Sequence, residues 1–275
     1  MAVRITFVIE DNASSDPALH AEHGLSYWVQ TPGGNLLFDT GSSFRAAANA
    51  GAMGLPLERL ETIAVSHSHY DHGEGLFHFL DGIDSRPTVH VSTGYFDPKY
   101  SRSGGELAFK GVSYGREELA VRASIQEHEE PVVEILDSVY LVRDFPRIHD
   151  DEVDNPRFVL RAGENAVLVD RFTDEQLVVI DSMAGLLVIV GCSHPGIMNM
   201  IAAVESRFPK PIAAVIGGFH LIDAAERRIE RTIDFFRKRD IPRLAPCHCT
   251  GKPAVERFAA LPGFLPVTTG TVITV

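Results

Sequence analysis

The sequence is poor in cysteine, in basic charge and in long apolar runs, and each shortage closes off a class. Three cysteines occur in 275 residues, Cys192, Cys247 and Cys249. A disulfide framework is not expected, and the cytoplasm is the default compartment. Cys247 and Cys249 lie too close together for the usual zinc knuckle, which has two intervening residues. All three are read as small buried thiols, with a soft-ligand or redox role as the alternative. Lys and Arg number 25 against 37 Asp and Glu, a formal net charge of -12. That argues against a general nucleic-acid or anionic-membrane surface. It does not exclude an anionic substrate, because bound divalent cations reverse the local field. No apolar stretch approaches membrane-spanning length. The first ten residues run from a short apolar stretch straight into Glu10 and Asp11, which reads as a first strand and not a signal peptide. Repeats and low-complexity tracts are also lacking.

What remains is ordinary globular composition, 45% hydrophobic and 23% charged. The chain is read as a single α/β domain over 1–275, with residues 92–157 as an inserted excursion or cap. Apolar runs predict strands over Arg4–Ile9, Leu25–Gln30, Asn35–Phe38, Thr62–Val65, Pro211–Ile216 and Arg243–Pro246. Gln176–Asp181 and Gly185–Val190, joined by Ser182-Met183-Ala184, read as a hairpin. Helices are expected over Phe44–Ala50, after Gly75, and near Pro195. Another has Ile222, Ala225, Ile229, Ile233 and Phe236 on its apolar face, opened by a capping box of Asp223 and Glu226. Arg227, Arg228 and Arg231 form its wet face. The acidic runs 127–130 and 149–154 are read as solvated loops.

The chemistry concentrates in His67-Ser68-His69-Tyr70-Asp71-His72-Gly73, directly after an apolar strand. Along an extended segment His67 and His69 project to one side and can reach one ion. Asp71 and His72 are adjacent and better placed for a second. Imidazole with carboxylate suits Zn, Fe or Mn at a hydrolytic or Lewis-acid centre. The bland alternative is a set of histidines hydrogen-bonded in a loop. Against it, three further strand ends deliver histidine, at His194, His220 and His248, and strand-end loops are where α/β proteins collect catalytic groups.

These residues resemble the metallo-β-lactamase fold superfamily: the strand-ending Asp39, the His-x-His-x-Asp-His signature and the later histidines in order. The resemblance implies a four-layer αββα sandwich with a dinuclear site along one edge. It implies that His67, His69 and His194 hold one divalent ion and that Asp71, His72 and His248 hold the other. Zn is the first expectation and Mn or Fe the alternatives. Asp39 would support the ligand loop from behind. Glu22-His23-Gly24, Phe38-Asp39-Thr40-Gly41, Gly191-Cys192-Ser193-His194-Pro195-Gly196, Gly217-Gly218-Phe219-His220 and Cys247-His248-Cys249-Thr250-Gly251 resemble the branch of 7,8-dihydropterin-6-methyl-4-(β-D-ribofuranosyl)aminobenzene-5′-phosphate synthases. One departure stands out. Most dinuclear members carry a bridging aspartate on the strand before the final histidine, where this chain has Gly218-Phe219-His220. His220 is left as a terminal ligand, an acid or hydrogen-bond donor facing the substrate, or a packed core residue.

The resemblance implies a metal-dependent hydrolase acting on a phosphoester or similar bond through an activated water, with a dihydropterin-type transferase displacing pyrophosphate as the alternative. Asp71 is the candidate proton acceptor. Lys99, Arg102 and Lys110, set among Tyr95, Phe96, Tyr100, Phe109 and Tyr114, are candidate contacts for a flat, phosphorylated small molecule; an ordinary cap with exposed basic residues is the competing reading. An oxygen-reducing diiron protein is disfavoured, since that branch has a glutamate where His69 stands and needs a flavin domain. A non-catalytic metal- or ligand-binding module would normally have lost part of the ligand set. Neither nucleic acid nor membrane is expected as a partner, and a homo-oligomer is left open.

Overall fold

A computed structural model describes residues 2–161 and 166–275. The first strands are β1 (Arg4–Ile9), β2 (Ser26–Thr31), β3 (Gly34–Phe38), β4 (Thr62–Ala64) and β5 (Thr88–Ser92). The middle of the chain carries β6 (Lys99–Ser103), β7 (Glu106–Phe109), β8 (Ser124–His128), β9 (Val132–Leu136) and β10 (Val139–Arg143). Then come β11 (Phe158–Arg161), β12 (Val167–Val169), β13 (Gln176–Ser182), β14 (Gly185–Val190), β15 (Ile212–Gly218), β16 (Leu244–Cys247) and β17 (Val272–Thr274). The helices are α1 (Phe44–Ala52), α2 (Tyr70–Gly73), α3 (Leu76–Asp81), α4 (Arg116–Arg122), α5 (Ile197–Arg207), α6 (Glu226–Arg239) and α7 (Lys252–Phe258).

Seven strands form one sheet in the order β17-β1-β2-β3-β4-β5-β8, and six form a second in the order β16-β15-β14-β13-β10-β9. The period of two along a strand explains why the sheets stack with helices outside. On β13, Val178 and Ile180 face the core between the sheets, while Leu177 and Val179 face the core shared with α5, α6 and α7. β3 splits the same way: Leu36 and Phe38 point between the sheets, and Leu37 points to the layer of α1 and α3. Three apolar layers therefore separate four layers of backbone, the αββα sandwich. β3, β4 and β5 run parallel, as do β14, β15 and β16, so their C-terminal ends open on common edges.

Three sequence expectations need correction. Residues 92–157 are not one excursion: β8 extends the first sheet beside β5, and β9 and β10 lie in the second beside β13. Only β6 and β7 stand apart, in a small sheet ordered β12-β11-β6-β7. β10 buries Val139 and Leu141 between the sheets and Val142 against the outer helices, a short run that Pro131, Asp144 and Pro146 obscure in the sequence.

The capping box does not form. α6 begins at Glu226 behind Ala225 with no side-chain cap, leaving the exposed Ile222 outside the helix. Asp223 pairs instead with Arg157, at 3.1 Å. The third correction concerns the acidic run at 149–154. Glu152 is 2% exposed, and its carboxylate accepts the backbone N–H groups of Met198 and Asn199 at 2.9 and 2.7 Å. It caps α5 from a distant loop, because a helix N-terminus leaves N–H groups unsatisfied and Gly196 has no side chain to offer.

Candidate metal centre

The site lies where β3, β4, β14, β15 and β16 end. Asp39, one residue past β3, has a φ of 59°. Its Oδ1 accepts the Ser66 backbone N–H at 2.6 Å, and its Oδ2 accepts the Ser66 hydroxyl at 2.9 Å and His72 Nδ1–H at 2.7 Å. One carboxylate thus ties the strand end to the imidazole and turns His72 Nε2 inward. Nε2 lies 3.1 Å from Cys192 Sγ and 3.8 Å from Asp71 Oδ2.

His248 is held the same way. Glu10 Oε1 accepts its backbone N–H at 2.9 Å, and Asp11 Oδ1 accepts its Nδ1–H at 2.6 Å. Its Nε2 is left 3.3 Å from Asp71 Oδ2. Asp71 stays ionised well below the ordinary carboxylate range: burial opposes its charge, but His72, His23 and His248 outweigh burial.

His194 follows β14 on a turn in which Glu175 accepts the Ser193 and His194 N–H groups at 2.6 and 3.0 Å. The Phe172 ring stacks on the His194 imidazole, with centroids 3.7 Å apart. His194 Nε2 is 3.2 Å from His69 Nδ1, and His67 Nδ1 meets the Ser66 hydroxyl at 2.9 Å. Burial holds His67, His69 and His194 well below the ordinary histidine pKa, so all three present neutral imidazoles. A metal requires that form of the ligand.

These residues fit a cation. His67 Nε2, His69 Nε2 and His248 Nε2 are buried without a hydrogen-bond partner, which is costly for polar atoms unless something else satisfies them. Ligand atoms of Asp71, His72, Cys192 and His248 lie within 4.8 Å of one another, and so do those of His67, Cys192 and His194. His69 stands beside the second group through its contact with His194.

The other expected residues divide. His220, with a φ of 46°, lines the pocket over the site, its ring centroid 4.2 Å from that of His194. Burial, then Arg228, lowers its pKa to about 4. Lys110 lines the same pocket, with Nζ 5.5 Å from the centre of the Tyr70 ring. Arg102 is exposed on β6 and does not line the pocket. Lys99 is no substrate contact: it is 2% exposed, with Nζ 2.7 Å from Asp170 and 2.8 Å from Asp174. Its side chain turns inward because two buried carboxylates need a counter-ion. Tyr95 and Tyr114 are likewise buried, their hydroxyls 2.7 Å apart.

Sequence reasoning missed His23, Asp11, Arg157 and Glu175. His23 bridges Asp11 at 2.9 Å and Asp71 at 3.2 Å while its side chain is 54% exposed, and those carboxylates raise its pKa to about 9. Arg157 lines the mouth of the pocket. The only signal for His23 was its place in Glu22-His23-Gly24; Asp11 and Glu175 looked like ordinary acidic residues at strand boundaries.

The family model of the metallo-beta-lactamase superfamily, a class whose fold this sandwich shares, matches residues 21–167. The chain belongs to that superfamily. It is 28% identical to the 7,8-dihydropterin-6-methyl-4-(beta-D-ribofuranosyl)-aminobenzene-5'-phosphate synthase of Methanocaldococcus jannaschii, over 93% of this chain and 90% of that one. Among solved structures it resembles Tm1679, described as a metal-dependent hydrolase of the beta-lactamase superfamily, with a TM-score of 0.86, 29% identity and 99% of both chains covered. A diphosphatase of the PhnP family shares the fold at a TM-score of 0.58 and 12% identity, covering 98% of this chain and 97% of that one. Among the described residues no helix is long and apolar enough to cross a membrane.

Proposed function

We propose that this chain is a metal-dependent hydrolase that cleaves a phosphoester or similar bond in a small anionic molecule. The observation that carries the reading is the set of buried, partnerless imidazole nitrogens converging beside Asp71. His67, His69 and His194 would hold one divalent ion and Asp71, His72 and His248 the other, with Zn the first choice and Mn or Fe the alternatives. Ions held there supply Lewis acidity and an activated water at neutral pH. The protein's own part is orientation: Asp39 and Asp11 each fix the outer nitrogen of a ligating histidine, which aims the inner one. His220, above His194, is placed to donate a hydrogen bond to a substrate oxygen. Asp71 is the candidate proton acceptor, and its contact with the half-exposed His23 offers the proton a way out. The pocket, about 170 Å³, suits a phosphoryl-sized group, with the organic remainder lying at a mouth flanked by Lys110 and Arg157. Three free buried cysteines suit a reducing compartment, and the cytoplasm is proposed on that ground.

The likeness to the synthase across 93% of the chain favours a second reading, a dihydropterin-type transferase that displaces pyrophosphate. Pyrophosphate release from a dihydropterin-methyl diphosphate by metal-reconstituted protein separates the two. Release that requires the ribosylaminobenzene acceptor establishes transfer. Release without it establishes hydrolysis. If there is no release and no turnover of a phosphodiester and phosphomonoester panel, both readings fall.

A further inference from the structure

β15 ends in Gly217-Gly218 and leaves the second sheet without a carboxylate where the superfamily resemblance expects a bridging one. At Gly218 itself the packing leaves no room for a side chain. A Cβ at Gly218 would lie 2.5 Å from Cys249 Sγ and 2.5 Å from the Gly191 carbonyl oxygen. Phe219 turns away into the outer core, its ring 5.2 Å from that of Phe236. The bare glycine lets β15 close on the neighbouring turn: Gly218 N–H donates to Gly191 O at 2.9 Å, and Cys249 Sγ donates to Cys192 O at 3.4 Å. Those contacts fix the backbone of Cys192, which is 3% exposed and sends its sulfur into the site. Cys192 Sγ lies 3.1 Å from His72 Nε2. It is the atom shared by two of the three potential ligand groups among the described residues, Asp71-His72-Cys192-His248 and His67-Cys192-His194; the third is Asp11-His23-His248. His67 Nε2 and His248 Nε2, buried and partnerless, point to ligands in both groups.

We propose that Cys192, as its thiolate, is the ligand shared by the two ions and takes the place of the missing carboxylate. A neutral imidazole has one lone pair and serves one metal, whereas a thiolate sulfur has several and can serve two. Thiolate beside imidazole and carboxylate also shifts the site's preference toward zinc over the harder Mn. The inference rests on the dinuclear reading above.

Cobalt(II) reconstitution tests it without recourse to activity. Wild-type protein should take up two cobalt ions per chain and show a near-ultraviolet thiolate-to-cobalt charge-transfer band. Cys249→Ser should keep the band. Cys192→Ser should lose it and hold one ion more weakly, by at least the roughly 10–100-fold that outer-shell changes cost. Cys192→Asp should bind two ions with no sulfur band, which keeps the test open if the serine variant does not fold. Two bound ions without the band in wild type, or a band that survives Cys192→Asp, overturns the assignment of Cys192 alone. No cobalt uptake by wild type would overturn the metal-centre reading together with it.

Discussion

Lys99 Nζ and Asp174 Oδ1 form a buried ion pair at 2.8 Å, and the other oxygen of Asp174 accepts the backbone N–H of Ser68 at 3.0 Å. The lysine therefore acts on the ligand loop from behind, through one carboxylate, and Asp170 completes the triad at 2.7 Å. Burial alone would discharge Lys99; Asp174 and Asp170 outweigh it and keep the ammonium charged. Lys99→Met should destabilise the fold by about 3–5 kcal/mol, because two carboxylates lose their buried partner. Denaturant unfolding checks the magnitude. In whatever folded protein remains, the Michaelis constant for a phosphorylated substrate should not rise as it would if Lys99 touched the phosphate.

The mouth of the pocket is where anionic substrate recognition should show. Lys110→Ala and Arg157→Ala should each raise the Michaelis constant by about tenfold, equivalent to ~1.4 kcal/mol of a charge-assisted hydrogen bond, with turnover little changed. Arg102→Ala, outside the pocket, should leave both constants alone. Steady-state kinetics on the three variants decides.

Asp39→Asn keeps the shape of the side chain but removes the charge that holds His72 Nδ1–H and the Ser66 hydroxyl. Metal affinity should fall by about 10–100-fold. Competition against a chelator followed by metal analysis measures this; unaltered retention would show that His72 needs no support from Asp39.

Much of this architecture was legible, and the reasons are local. The continuous apolar runs of β13 and β14 and the helical spacing behind α6 are local signals, and His67, His69, Asp71 and His72 sit within six residues of chain. Lys99 was misjudged because a basic residue among aromatics looks the same in sequence whether its partner is a ligand or a distant carboxylate. Asp170 and Asp174 lie on another loop, and only the tertiary fold joins them to it. Cys192 could be singled out by position but not by role, since what aims its sulfur is the closeness of Gly218 and Cys249, a long-range packing fact. Glu152 looked like part of a solvated acidic run for the same reason.

Glu152→Ala should cost about 1–2 kcal/mol or more, the usual worth of an N-cap, since two helix N–H groups are left in the protein interior. α5 begins three residues after His194, so metal retention should fall along with the melting temperature. A loss of stability with unchanged metal content would separate the cap from the site.

His90 and His128 stack with His90 Nδ1 2.9 Å from His128 Nε2, away from the metal centre. Burial, and then the neighbouring His128, lowers the His90 pKa to about 4, against roughly 6.5 in an unfolded chain. Between those values the unfolded state binds the extra proton, so the contribution of His90 to stability should fall as the pH drops through that window and level off on either side. The loss is on the order of 3 kcal/mol. The gap between urea midpoints at about pH 7 and pH 4.5 should narrow in His90→Gln; an undiminished gap would assign the acid sensitivity to other groups.

The strand ends that meet at the centre come from both halves of the chain, with Asp11 and the His67–His72 loop on one side and His194 and His248 on the other. Neither sheet alone owns a complete ligand group. If the site binds cations as proposed, a half-length chain should lack a complete ligand group, and cation capture should require the two sheets to be docked. Ions held in this way would bind only the docked state and pull that equilibrium forward. A chelator should therefore speed unfolding of the whole molecule, not merely silence one edge of it.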